Sequence, residues 1–190
     1  MLRDKAASPL SQQPSGISCS QGKQEVYDFK PDASVGKPEL YRQLLEASDA
    51  LTAGEEDAVA NMANVAALIW EFLPDLNWSG FYRMGTNSSG GDELVLGPFT
   101  GRPACIRIPL GHGVCGTAAD TGETQCVEDV HAFPGHIACD AASQSELVVP
   151  VLRDGKVIAV IDLDSPEKAR FTKEDADGIE ALAALLSQRI

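Results

Sequence analysis

The sequence has no apolar run approaching the roughly 20 residues that a transmembrane helix needs. Its first residues, MLRDKAASPLSQQPSG, lack the apolar centre of a signal peptide and the amphipathic pattern of a transit peptide. Basic residues are scarce, with 15 Lys and Arg against 28 Asp and Glu and a net charge of −13. Nucleic acids and anionic membranes attract clustered Lys and Arg, so we expect neither as a partner. We expect a cytoplasmic protein.

Cysteine is also scarce, and its spacing excludes two common uses. The chain has five cysteines and no C-x-x-C pair, which argues against a zinc ribbon or a thioredoxin motif. An odd number without a secretion signal argues against a structural disulfide framework. Packing, metal binding, redox chemistry and catalysis remain. We interpret Cys19 as incidental and Cys126, inside an apolar strand, as a packing residue.

Composition indicates one domain with an N-terminal extension. The 190 residues are 44% hydrophobic and 23% charged, which is ordinary for a globular chain large enough to build one core. Residues 1–36 are rich in Ser, Gln, Pro and Gly, and we interpret them as a low-complexity extension outside the core. The domain is then residues 37–190.

Hydrophobic periodicity predicts an α+β fold. A first helix covers residues 38–51, and Thr52 with Glu55 resembles a capping box that begins a second helix. The expected core stripe of that helix is Val59, Met62, Ala66, Ile69 and Leu73. Six short β-like runs follow from residue 78, and a final helix begins near Thr172, with Asp175 as a start signal. This order predicts an antiparallel sheet with helices mainly on one face.

Two cysteines lie in loops of small residues. Cys115 is in LGHGVCGTAAD and Cys139 is in GHIACDAAS, where small residues let a ligand approach the backbone. This setting favours reactivity over packing. His131, His136 and Asp140 can be drawn with Cys139 as a zinc site, but the two histidines are not at helical spacing. We favour turn-stabilising hydrogen bonds for these polar residues and predict no metal.

Two carboxylates share one face of a predicted strand. Asp162 and Asp164 are two residues apart in VIAVIDLDSP and point to the same side, while the apolar residues Val157, Ala159, Ile161 and Leu163 take the other. They form either a solvated edge or the wall of a pocket. Trp78 and Tyr82 are four apart in WSGFY and also share a face, as core residues or as the lining of an apolar recess.

The position of Glu146 depends on a hairpin loop. With a two-residue loop at Asp154-Gly155, residue 146 pairs with residue 163, and Glu146 lies on the face opposite Asp162. With a three-residue loop, residue 146 pairs with Asp164, and the three carboxylates lie together. Both loops are common, so the sequence leaves the choice open.

Several long segments together resemble the free methionine-(R)-sulfoxide reductases, a family of GAF-domain proteins. They are WSGFY, LGPFTGRPACIRIPLGHGVCGTA, DVHAFPGHIACDAASQSELVVPV and IDLDSP, in that order. The resemblance covers residues 37–190 and implies a GAF-like single domain. It implies reduction of free L-methionine (R)-sulfoxide to methionine, without a bound cofactor and with thioredoxin or a similar dithiol as electron donor. It also implies a homodimer.

The resemblance assigns roles to the three core cysteines. Cys139 corresponds to the catalytic cysteine, Cys105 to its resolving partner and Cys115 to a second recycling cysteine. The catalytic thiol becomes a sulfenic acid, which condenses to a disulfide with Cys105. If this holds, the Cα atoms of Cys105 and Cys139 lie within about 7 Å in the oxidised form.

The same resemblance places a substrate pocket. Trp78 and Tyr82 line the pocket for the substrate methyl group, and backbone amides near Ile137 and Ala138 hold its carboxylate. The pocket carboxylates are Glu146, Asp162 and Asp164. Crowded carboxylates cannot all ionise, so we expect Glu146 or Asp164 to keep a proton for the sulfoxide oxygen. The alternatives are a non-enzymatic GAF module that senses a small molecule, since one fold hosts many functions, and a zinc-binding protein.

Overall fold

The computed structural model describes residue 31, residues 34–136 and residues 140–190. This part of the chain contains four α-helices: α1 (Lys37–Thr52), α2 (Ala58–Phe72), α3 (Gly113–Thr121) and α4 (Lys173–Leu186). It also contains six β-strands: β1 (Trp78–Thr86), β2 (Asp92–Gly101), β3 (Arg107–Pro109), β4 (Gln125–Val127), β5 (Ser145–Arg153) and β6 (Lys156–Ser165). Most of the predicted extension, residues 1–36, lies outside the described residues, and its role stays a prediction.

The strands form one antiparallel sheet in the order β3-β2-β1-β6-β5-β4. Helices α1, α2 and α4 bury their apolar faces on one side, around Phe81, Leu147 and Ile161. The other side carries α3 and a smaller cluster around Trp78 and Tyr82. The predicted α+β class, with helices mainly on one face, is therefore confirmed.

The two predicted helix starts have different outcomes. Helix α4 begins at a capping box in which Thr172 and Asp175 bind each other's backbone, as predicted. The predicted start at Thr52 is wrong. Thr52 is the last residue of α1, where its hydroxyl donates to the Ser48 carbonyl at 2.7 Å. Asp57 caps α2 instead, because its carboxylate accepts from the backbone N–H groups of Val59 and Ala60.

The predicted core stripe of α2 is confirmed at Met62, Ala66, Ile69 and Leu73, which are all buried. Val59, in the first turn, is 50% exposed, so its predicted place in the core is wrong. The buried residues are Asn61, Met62, Val65, Ala66, Ile69 and Phe72. Val59 is the second residue of α2, and the buried stripe begins in the next turn.

The β5–β6 hairpin combines features of both predicted loops. Arg153 pairs with Lys156 across a two-residue turn at Asp154-Gly155, where both residues have positive φ. The register then shifts, because Leu152 pairs with Val157 and Val151 pairs with Ala159. Ile158 is the extra residue of a β-bulge. Beyond the bulge, Glu146 pairs with Asp164, as the three-residue loop had predicted.

Because of the bulge, the predicted strand face is wrong for one residue, Val157. Ala159, Ile161 and Leu163 contribute to the helix-covered core, as predicted. Val157 packs on the opposite side instead, against the cluster that contains Trp78 and Tyr82. Because the side-chain period of a strand is two, one extra residue between Val157 and Ala159 exchanges the faces.

Candidate active site

A pocket lies on the sheet face that carries α3. Its floor is formed by Tyr82 of β1, Glu146 of β5, and Asp162 and Asp164 of β6. The first turn of α3 forms one wall, with Gly113, Val114 and Cys115. His136, Asp140 and Ser143, from the segment that precedes β5, form another. Every predicted carboxylate of the site therefore lines this pocket.

Strand pairing brings the three carboxylates together. Glu146 lies directly opposite Asp164, and Asp162 is two residues away from Asp164 on the same face of β6. Glu146 is 7% exposed and Asp162 is 6% exposed, so both acids are more than nine-tenths buried. The wall of a pocket, and not a solvated edge, is thus the correct alternative for Asp162 and Asp164.

Burial and mutual repulsion keep protons in this cluster. Burial, followed by the charges of Asp162 and Asp164, raises the pKa of Glu146 well above its usual value. Burial, followed by the charge of Asp162, does the same to the pKa of Asp164. Burial raises the pKa of Asp162 to about 7. Near neutral pH the pocket therefore holds carboxylic acids that can donate a proton.

One buried oxygen of the cluster has no hydrogen-bond partner within the described residues. This atom is Oδ1 of Asp162. Buried polar atoms are almost always hydrogen-bonded, so an unpartnered carboxylate oxygen that faces a pocket indicates a place for a ligand. The group that binds there would donate hydrogen bonds or carry positive charge.

Cys115 reaches this cluster from the first turn of α3. Its thiol Sγ lies 3.8 Å from Oε1 of Glu146, and its side chain is buried. The next residue is Gly116, where a side chain would collide with the Pro109 carbonyl. The glycine therefore lets α3 pack closely on the end of β3. Burial, followed by the charge of Asp162, raises the pKa of the Cys115 thiol.

Stacked aromatic rings adjoin the pocket, and Tyr82 is the ring of this stack that lines it. The rings of Trp78 and Tyr82 stack with centroids 5.8 Å apart. The ring of Phe99 also stacks on Trp78, with centroids 5.3 Å apart. The Trp78 indole N–H donates to the Arg102 carbonyl at 3.1 Å, so its polar atom is satisfied. Gly80 lies between these rings, where any side chain would collide with Phe99 and Trp78. The sequence patterns did not point to Phe99.

A hydrogen-bond network fixes the chain just after the predicted catalytic segment. The amide of Asn77 donates to Asp140 at 3.3 Å and to Ser143 at 3.0 Å, and Asp140 also accepts from the Ala142 backbone at 3.0 Å. Asp140 thus stabilises a turn, as predicted. Asn77 was missed by the sequence patterns, although it directly precedes the Trp78 motif. Ile137, Ala138 and Cys139 lie outside the described residues, and so does Cys19.

The described cysteines differ in their states. Cys105 is disulfide-bonded, whereas Cys115 and Cys126 are free thiols, so neither of them is its partner. Cys126 is exposed, and its predicted role as a packing residue is wrong. It lies on β4 at the edge of the sheet, where its thiol faces the Phe171 carbonyl at 3.6 Å instead of the core.

Comparison with known proteins agrees with this geometry. Residues 55–190 match the model of the GAF domain family. The chain is 49% identical over 154 residues to the free methionine-R-sulfoxide reductase of Escherichia coli, covering 81% of this chain and 90% of that protein. It is 44% identical over 161 residues to the Saccharomyces cerevisiae enzyme of the same name, covering 82% and 88%. The chain belongs to the GAF-domain family of free methionine-R-sulfoxide reductases.

A solved structure of the family superposes on the same region. It is the free methionine-R-sulfoxide reductase of Neisseria meningitidis in complex with its substrate, which has a TM-score of 0.78 and 44% identity. The alignment covers 85% of this chain and 94% of that one. The resemblance seen in the sequence segments, and the GAF fold that it implied, are therefore confirmed. No helix in the described residues combines the length and apolarity of a membrane span.

The buried acids of the pocket predict a specific pH dependence of stability. The pKa of Asp162 is about 7 in the folded state, against an ordinary value of 3.8. The folded protein therefore keeps a proton that the unfolded chain releases, and the free energy of unfolding falls as pH rises from about 4 to about 7. Because one pKa unit corresponds to about 1.4 kcal/mol, we expect Asp162→Asn to remove roughly 4 kcal/mol of this fall.

Urea unfolding of the wild type and of Asp162→Asn between pH 4 and pH 8 measures this effect. Glu71→Gln is the matched control, because it removes an exposed carboxylate on α2 and leaves the cluster intact. The control should follow the wild type, and Asp162→Asn should be the most stable of the three near pH 8. Identical pH slopes for all three proteins would show that the buried acids are not coupled to folding.

Proposed function

We propose that this protein reduces free L-methionine (R)-sulfoxide to methionine, with Cys139 as the nucleophile and Cys105 as its resolving partner. The observation that carries this proposal is the pocket itself, in which buried carboxylic acids, the ring of Tyr82 and a thiol meet. The relatives named above are reductases of this substrate, and the Neisseria meningitidis structure contains it.

The chemistry of the substrate fits the groups of the pocket. Free methionine sulfoxide has an ammonium group, a carboxylate, a methyl group and a polar sulfoxide. The partly ionised cluster of Glu146, Asp162 and Asp164 suits the ammonium group, and the unpartnered Oδ1 of Asp162 offers it an acceptor. The stacked rings of Trp78 and Tyr82 suit the methyl group. Backbone amides near Ile137 and Ala138 would hold the substrate carboxylate.

The proposed first step consumes one thiol and one sulfoxide. The Cys139 thiolate attacks the sulfoxide sulfur while a carboxylic acid of the pocket protonates the oxygen. The oxygen is transferred to Cys139, the substrate leaves as methionine, and Cys139 becomes a sulfenic acid. The sulfoxide sulfur gains the two electrons that the cysteine sulfur loses, so no bound cofactor is needed.

The proposed second stage restores the thiol. The Cys105 thiol attacks the sulfenic sulfur, water leaves and a disulfide forms. The disulfide bond of Cys105 in this structure supports that role, since the described alternatives Cys115 and Cys126 are free. An external dithiol such as thioredoxin then reduces the disulfide, and Cys115 acts as a second recycling thiol. We propose a cytoplasmic homodimer as the working form.

A coupled thioredoxin assay with the R and S epimers of free methionine sulfoxide tests the activity. We expect turnover of the R epimer alone, and Cys139→Ser should abolish it because no other thiol attacks the sulfoxide. Cys126→Ser is the matched control and should keep wild-type turnover, since this exposed thiol lies outside the pocket. Equal rates on a protein-bound sulfoxide would contradict a pocket built for the free zwitterion.

Single-turnover measurements separate the resolving cysteine from the catalytic one. With Cys105→Ser we expect about one methionine per protein molecule and then arrest, because the sulfenic acid forms but cannot close the disulfide. Quenched samples, with methionine quantified by chromatography, give this stoichiometry. Cys115→Ser should slow repeated turnover and leave the first turnover unchanged. Sustained turnover by Cys105→Ser would assign resolution to another thiol.

The proton donor is Glu146 or Asp164, because the pKa of each is raised well above its usual value. We expect the substitution of the donor, either Glu146→Gln or Asp164→Asn, to lower kcat by about 10²–10⁴-fold. It should also remove the loss of activity that the wild type shows as the donor ionises at rising pH. The other substitution should mainly raise KM. Profiles of kcat against pH for both variants distinguish the two residues, and unchanged kcat in both would exclude this assignment.

A further inference from the structure

Three potential metal ligands converge in the pocket from three different elements. They are the thiol of Cys115 on α3 and the carboxylates of Glu146 on β5 and Asp162 on β6, and their ligand atoms all lie within 4.8 Å of one another. All three side chains are buried. Because each residue comes from a separate regular element, the fold itself fixes their distances.

A second observation points independently to a cationic ligand. Oδ1 of Asp162 has no hydrogen-bond partner within the described residues, although Asp162 is only 6% exposed. The described residues that line the pocket include four acids and neither Lys nor Arg. A buried acceptor that faces a pocket of this charge is ready to bind a positive ion.

The distances match those of a metal that binds sulfur. In a tetrahedral zinc site, Zn–S is about 2.3 Å and Zn–O is about 2.0–2.2 Å, which places sulfur and oxygen about 3.6 Å apart. The thiol of Cys115 and Oε1 of Glu146 are 3.8 Å apart, so one ion can reach both. A thiol in the ligand set favours Zn²⁺ and similar ions over Mg²⁺ and Ca²⁺, which prefer oxygen ligands.

The three residues leave a fourth position of a tetrahedral site open. Nε2 of His136 lies 4.0 Å from Oε2 of Glu146 and lines the same pocket, but His136 does not belong to the group whose ligand atoms all lie within 4.8 Å of one another. The set is therefore one sulfur and two carboxylate oxygens, and a water molecule can complete the coordination. It shares no residue with the set drawn from the sequence, which combined Cys139 and Asp140 with His131 and His136.

We propose that this pocket binds a thiophilic divalent cation, represented by Zn²⁺, through Cys115, Glu146 and Asp162. The ion would occupy the carboxylates that the substrate ammonium needs, so it acts as a competitive inhibitor; this second part rests on the proposed function. The Cys115 thiol is free while Cys105 is disulfide-bonded, so the site exists in that state of the protein.

Titration of the reduced, chelator-treated protein with Co²⁺ tests the binding directly. We expect one ion per chain, a sulfur-to-cobalt charge-transfer band and loss of that band when Zn²⁺ is added. Cys115→Ser should abolish the band, and Asp162→Asn should weaken binding by at least about ten-fold. Cys126→Ser and Cys139→Ser should retain the band. Circular dichroism of each variant reports whether it is folded.

The outcomes separate this proposal from the proposed function. A band that persists in Cys115→Ser, or that disappears in Cys139→Ser alone, would overturn the assignment, and so would the absence of binding by the wild type. Because the band needs no turnover, these results hold even if the protein reduces another substrate. In the activity assay, Zn²⁺ should raise KM for free methionine sulfoxide and leave kcat unchanged. Inhibition that excess substrate does not relieve would overturn the competitive part.

Discussion

The pocket depends on the register between β5 and β6. Without the extra residue Ile158, the two-residue turn at Asp154-Gly155 would pair residue 146 with residue 163, and Glu146 would face the helices. The bulge changes that pairing by one residue and brings Glu146 opposite Asp164. A local irregularity outside the pocket thus decides whether a cluster of carboxylic acids exists.

One face of the sheet forms the large apolar core, and the other face forms the candidate active site. Strand residues of one parity join α1, α2 and α4 in an apolar core, which includes Phe81, Leu147 and Ile161. Residues of the other parity bury acids beside a smaller aromatic cluster, where desolvation of charge opposes folding. The large core offsets that cost, and the acids can therefore keep the protons that the proposed chemistry needs.

Regular patterns in the sequence predicted most of the fold. The six strands, the start of α4 at Thr172 and the common face of Trp78 and Tyr82 on β1 all follow from local sequence patterns, and the structure contains them. The start of α2 was misplaced because Thr52 and Asp57 compete as caps, and only the tertiary position of the helix decides between them. The exposure of Cys126 was missed because the sequence of an apolar strand does not show whether the strand lies at the edge or at the centre of the sheet.

The site was less predictable than the fold, since it depends on contacts between distant segments. Two loop lengths left Glu146 on either face, and neither included the bulge that places it. Asn77 and Phe99 belong to no motif that spacing identifies, yet they fix the loop after residue 139 and the aromatic stack. The roles of Cys139, Ile137 and Ala138 stay predictions, and the Cys139→Ser assay described above tests the first of them.

The raised pKa of the Cys115 thiol has a consequence for the order of events in the proposed cycle. Only the thiolate is an effective nucleophile, and burial beside Asp162 keeps the thiolate fraction of Cys115 small. Cys115 would therefore attack a newly formed sulfenic acid slowly. The desolvation that keeps protons on the pocket acids would thus also delay the reaction of the Cys115 thiol until the first disulfide has formed.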